Sequence, residues 1–77
     1  MKIEILGSGC PKCRQLYENT QEAINAIGKK AEVIKVGDIK KITEYGILMT
    51  PGFVVDGEVK SVGKVLSAGE IKTIIQG

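Results

Sequence analysis

Cys10 and Cys13 are the only cysteines in this 77-residue chain, and only Pro11 and Lys12 separate them. Two thiols at that spacing suit two kinds of chemistry. They can cycle between dithiol and disulfide, or serve as half of a thiolate metal site. A structural staple is a poor third choice, because a bridge over so short a loop removes almost no chain entropy. With no histidine in the chain and no further cysteine, a closed four-ligand metal site would need a second protomer.

Exchange chemistry needs a thiolate, and a thiolate needs a setting that favours negative charge. Residues 2–6, Lys-Ile-Glu-Ile-Leu, alternate as a short strand that ends in the Gly7-Ser8-Gly9 loop. A helix is predicted from Pro11 to Ile27, with proline tolerated in the first turn and Gly28 as its stop. Its apolar stripe runs Cys13, Leu16, Thr20, Ala23, Ile24 and Ile27. Cys10 then falls at the helix N-terminus, where free N–H groups and the macrodipole lower a thiol's pKa. Cys13 lies one turn inside, on the buried stripe. The pattern predicts Cys10 as the exposed attacking sulfur and Cys13 as the sheltered one that resolves a mixed disulfide. Lys12 is expected to be exposed between them.

The remaining elements follow from similar signals. Residues 31–36 are β-branched and read as a second strand. Asp38 can cap a short helix whose Ile39, Ile42 and Tyr45 share one face, ended by Gly46. Gly52–Val55 and Glu58–Val62 read as strands joined by Asp56-Gly57, a pair that favours a type I′ hairpin. Ser67-Ala68-Gly69-Glu70 is a capping box for a last helix that buries Ile71, Ile74 and Ile75. The order β-α-β-α-β-β-α makes the first two strands parallel through a right-handed crossover. The hairpin then completes a four-stranded mixed sheet with helices on both faces. A single α/β domain over residues 1–77 is expected, with no linker or repeat.

Beyond Cys-x-x-Cys, Tyr45-Gly46-Ile47 followed three residues later by Pro51 resembles the thioredoxin family's approach to its cis-proline loop. Gly57-Glu58-Val59, Val62-Gly63, Ser67 and the closing helix resemble the family's ending. The chain is thus similar to a minimal thioredoxin-like fold over Ile3 to Ile75. The resemblance implies a cis bond before Pro51, which proline tolerates far better than other residues. It also implies that the Thr50 backbone faces Cys10 and pairs with an extended substrate, and that Gly63 borders the same groove. Glu4, six residues before Cys10, stands where thioredoxins often hold a buried carboxylate under the resolving cysteine. It is a candidate proton acceptor for Cys13. Tyr17 is expected to pack locally on the first helix.

Two departures refine the resemblance. Gly9 stands where thioredoxins carry an aromatic residue, and Pro-Lys replaces Gly-Pro between the cysteines. Cys-Pro-x-Cys with Thr50-Pro51 is closer to glutaredoxins, yet Gly63-Lys64-Val65-Leu66 replaces their Gly-Gly-acidic glutathione segment. The nearest resemblance is to small prokaryotic thioredoxin-like, glutaredoxin-sized redox proteins. It implies a thiol–disulfide oxidoreductase acting on disulfide-containing proteins and recharged by a thioredoxin-reductase-like or other dithiol reductant. No organic cofactor and no metal are expected.

Composition excludes several other classes. A net charge of +2 with dispersed lysines does not suggest a nucleic-acid partner. No apolar run approaches the roughly 20 residues that span a bilayer. Lys2 and Glu4 also leave no signal-peptide pattern, so a cytoplasmic monomer is expected. A metal-binding module and a non-catalytic redox adaptor stand as alternatives. Copper-chaperone domains, however, follow β-α-β-β-α-β and tend to carry methionine where Ser8 stands.

Overall fold

The computed structural model describes residues 1–7 and 9–76; the expectations placed on Ser8, in the first loop and against a chaperone methionine, lie outside the described residues. Seven elements follow in order: β1 (Lys2–Leu6), α1 (Pro11–Ile27), β2 (Glu32–Val36), α2 (Ile39–Glu44), β3 (Gly52–Val55), β4 (Glu58–Val62) and α3 (Ala68–Gln76). The sheet order is β2-β1-β3-β4. β1 pairs parallel with β2 and antiparallel with β3, and β3 pairs antiparallel with β4. This is the four-stranded mixed sheet of a thioredoxin-like α/β fold.

The local signals act as their chemistry dictates. Gly28 closes α1 in the left-handed conformation at φ 65°, and its N–H donates to the Ile24 carbonyl. Asp38 accepts from the Lys40 N–H at 2.9 Å to cap α2. Asp56 and Gly57 both have positive φ, at 49° and 83°, which is the requirement of a type I′ hairpin. Ser67 and Glu70 exchange reciprocal hydrogen bonds, each at 3.1 Å, ahead of α3.

Strand alternation divides the core into two layers. Ile3 and Ile5 of β1, with Phe53 and Val55 of β3, pack against Leu16, Ala23 and Ile24 of α1 and Ile71 and Ile75 of α3. Leu6, Val36 and Val54 point the other way, towards Ile42 of α2 and Ile47. Helices therefore cover both faces, with α1 and α3 on one and α2 on the other. One apolar position departs from expectation. Ile39, read as part of α2's buried face, is 74% exposed. It opens the helix, and a helix this short turns only Ile42 fully onto the sheet. Among the described residues, no helix is long and apolar enough to cross a membrane.

Candidate active site

The parallel crossover from β1 to α1 delivers both cysteines to one end of the sheet. Cys10 is the N-cap of α1, with extended backbone, and its sulfur accepts a hydrogen bond from the Cys13 N–H at 3.2 Å. A cysteine thus fills the position where a serine or aspartate oxygen would usually satisfy a free helix N–H. Cys10 is partly exposed, whereas Cys13 is 5% exposed on the same stripe as Leu16 and Thr20. The Thr20 hydroxyl donates to the Leu16 carbonyl at 2.7 Å, so a polar side chain on that stripe is buried with its donor satisfied.

The two thiols are driven apart electrostatically. Hydrogen bonds from the Cys13 thiol, and then from the Cys13 backbone N–H, hold the Cys10 pKa below the ordinary thiol value. Cys13 moves the other way: burial pushes its pKa up, and its hydrogen bond to Cys10 adds to the rise. The expected lowering at the helix N-terminus is present. Its main carrier is the second thiol, with the helix N–H next.

Gly7 is a site residue that the sequence pattern did not single out. A Cβ built there would collide with Cys13 Sγ and approach Cys13 Cβ to 3.1 Å and Thr50 Cβ to 3.8 Å. Cys13 and Thr50 therefore converge over a backbone that has no room for a side chain. The only sequence signal is a glycine directly after the strand, which reads as an ordinary loop residue until the helix returns over it.

The proline segment reaches the same end of the molecule. The Thr50–Pro51 bond is cis, Pro51 is buried and Thr50 is exposed. The Gly63 N–H donates to the Pro51 carbonyl at 2.8 Å, tying the end of β4 to this loop. Gly63 has φ 69°, and a Cβ there would press to 3.1 Å on the Met49 side chain. Thr50, Pro51, Gly63 and the cysteines are thereby gathered at one end of the sheet.

Glu4, the candidate proton acceptor, is buried in β1 and its carboxylate is engaged on the α2 side of the sheet. Side chains alternate along β1, so Glu4 shares the α2 side with Leu6, while Ile3 and Ile5 face α1. Its carboxylate accepts a 2.7 Å hydrogen bond from the Tyr45 hydroxyl across the β1–α2 contact. That bond, together with burial and the charges of Glu4 and Glu44, raises the Tyr45 pKa above its ordinary value of 10.0. The raised folded-state value stabilises the protein fully below the unfolded phenol's pKa, and this is lost as pH rises through the folded value. In urea unfolding between roughly pH 9 and 11, stability should fall more steeply for the native chain than for Tyr45→Phe. At neutral pH that variant should cost about 1 kcal/mol, because the Glu4 acceptor loses its donor. Parallel pH profiles for the two proteins would remove the Glu4–Tyr45 pair from this account. Tyr17, as expected, packs locally. It is half-buried against the α1 layer, with the Lys35 ammonium 4.4 Å from its ring centre.

Comparison with known proteins decides the family. A model of the thioredoxin domain matches residues 1–76. A thioredoxin from Methanothermobacter thermautotrophicus is 44% identical over 75 residues, covering 97% of each chain. The chain belongs to the thioredoxin family. A thioredoxin from Methanocaldococcus jannaschii is also 44% identical, over 91% of this chain and 80% of that one. A probable thioredoxin from Methanothermobacter marburgensis is 34% identical over 82% of this chain and 79% of its own. Thioredoxin-family membership carries a thiol–disulfide oxidoreductase role, with disulfides as substrates. The observed order β-α-β-α-β-β-α, with α2 between β2 and β3, differs from the metal-chaperone order β-α-β-β-α-β.

Proposed function

We propose that this protein is a protein-disulfide reductase in which Cys10 attacks and Cys13 resolves. The observation that carries the reading is the asymmetry of the pair: a partly exposed sulfur of lowered pKa beside a buried one of raised pKa. The Cys10 thiolate attacks one sulfur of a client disulfide, forming a mixed disulfide and releasing the client's other thiolate. Cys13 then loses its proton and attacks the Cys10 sulfur. The second client thiolate leaves, and Cys10–Cys13 is the product. A thioredoxin-reductase-like enzyme or another dithiol returns two electrons to restore the pair.

The surface beside Thr50 supports a protein client. Leu48 is 99% exposed and Met49 62% exposed, immediately before Thr50-Pro51. Leu48 and Ile39 flank a shallow groove of about 250 Å³ that also includes Ile42, Ile47 and Thr50. An extended client segment laid along Thr50, with Pro51 beneath and Gly63 at the border, would cover these apolar side chains. Gly63-Lys64-Val65-Leu66 stands where a glutaredoxin holds its glutathione segment, which favours a protein client over a dedicated glutathione site.

Trapping tests the assignment. In Cys13→Ser the resolving thiol is gone, so a disulfide-bonded client should remain attached, and peptide mass spectrometry should find it on Cys10. A Cys13→Ser protein that releases client as fast as the native chain would refute Cys13 as the resolving thiol.

A further inference from the structure

A second cavity, of about 370 Å³, opens on the α1 side of the sheet and is lined by Cys13, Arg14, Lys35 and the glycines at 7, 9 and 37. It shares no lining residue with the Leu48 groove. Among the described residues that line it, the charged ones are both cations. Neither Arg14 nor Lys35 makes an ion pair among the described residues, whose two salt bridges are Lys60–Glu58 and Lys64–Glu70. Glu18 lies one turn beyond Arg14 on the exposed surface of α1, without pairing to it, and Glu32 alternates onto the α2 side of β2. Lys35 instead rests over the Tyr17 ring, which holds the ammonium without neutralising it. The three glycines leave backbone, not side chains, around the space. A Cβ built at Gly9, directly before Cys10, meets no atom within 4 Å.

We infer that this cavity binds the anionic end of a low-molecular-weight disulfide, a compact group such as a carboxylate, between Arg14 and Lys35. The inference rests on the proposed reading of Cys10 as the attacking sulfur and adds a second substrate class to it. Gly9 and Cys13 both border the space, and the Cys10 sulfur lies 3.2 Å from the Cys13 nitrogen. A short acidic substituent on a disulfide engaged by Cys10 therefore has cations within its reach. In the reaction, Cys10 thiolate attacks R–S–S–R, forms Cys10–S–S–R and expels RS⁻, which takes a proton from water. Cys13 gives its proton to solvent and attacks the Cys10 sulfur, expelling the second RS⁻. One disulfide becomes two thiols, and both electrons come from the Cys10–Cys13 dithiol.

The test uses the pre-reduced full chain in single-turnover kinetics with three disulfides of similar size. These are dithiodipropionate (anionic), hydroxyethyl disulfide (neutral) and cystamine (cationic). The anionic compound should react about tenfold faster than the neutral one, in the lower part of the range electrostatic focusing provides, and its rate should saturate. Cystamine should be slowest. In the Arg14→Gln/Lys35→Gln double variant the anionic-to-neutral ratio should fall towards one and saturation should disappear. A Lys12→Gln/Lys40→Gln variant, with the same change in formal charge, should keep the ratio. If both double variants lose it equally, long-range charge explains the preference and the cavity assignment is overturned. Reduction of insulin without any preference among the small disulfides overturns this inference alone. Failure to reduce insulin or any small disulfide overturns it together with the reductase reading.

Discussion

Replacing Cys10 with serine should abolish turnover of a model protein disulfide such as insulin. The hydroxyl left at the N-cap can still accept the helix N–H, so α1 should keep its cap and the fold its stability. What disappears is the nucleophile, because a serine hydroxyl at neutral pH carries no equivalent of the thiolate. No histidine exists in the chain to activate it. The loss should be at least about a thousandfold, the scale at which losing a catalytic nucleophile leaves only background. Far-ultraviolet circular dichroism and the urea midpoint should remain near those of the native protein. Retained reductase activity in Cys10→Ser would show that another group attacks the disulfide, and the proposed mechanism would fall with it.

The second large effect concerns stability. Phe53 is fully buried in β3, where it bridges β1 to the layer formed by α1 and α3. Phe53→Ala should cost about 3–5 kcal/mol, the sum of lost transfer energy and the cavity left behind. A chain of this length has only roughly 4–12 kcal/mol in total, at the usual stability per residue. The variant should therefore lose a large fraction of its stability, and at the lower end of that range it should be partly unfolded at 25 °C. Urea titration followed by circular dichroism measures this directly. A change below about 1 kcal/mol would mean that the core collapses around the gap and that Phe53 does not organise the two helices. The reactive cysteines are carried by the same α1, so weakened packing should also raise alkylation of Cys13 in the native baseline.

Much of this architecture is legible in the residues themselves. Asp56-Gly57, the Ser67–Glu70 capping box and Gly28 are local devices, and each acts through its own neighbours. The stripe through Cys13, Leu16 and Thr20 likewise separates one cysteine from the other by helical geometry alone. The misses depend on contacts distant in sequence or on where an element ends. Ile39 fits an apolar helical face, but α2 is too short to bury it. The spacing from Glu4 to Cys10 does not reveal which side of the sheet Glu4 meets; strand alternation decides that. The Glu4 partner, Tyr45, lies 41 positions away. Gly7 becomes informative only when Cys13 is brought back over it. Arg14 and Lys35 come together because β1 and β2 pair in parallel, setting Ile5 opposite Lys35 beside the start of α1.

The division of labour between the two thiols is open to residue-resolved alkylation of the reduced protein. Iodoacetamide labelling followed by mass spectrometry, repeated across pH, gives a titration midpoint for each sulfur. Cys10 should be modified first, with a midpoint below that of an ordinary thiol. Cys13 should react slowly, with a midpoint above that value. Faster labelling of Cys13, or equal midpoints for the two sulfurs, would contradict the assignment of Cys10 as attacker and Cys13 as resolver.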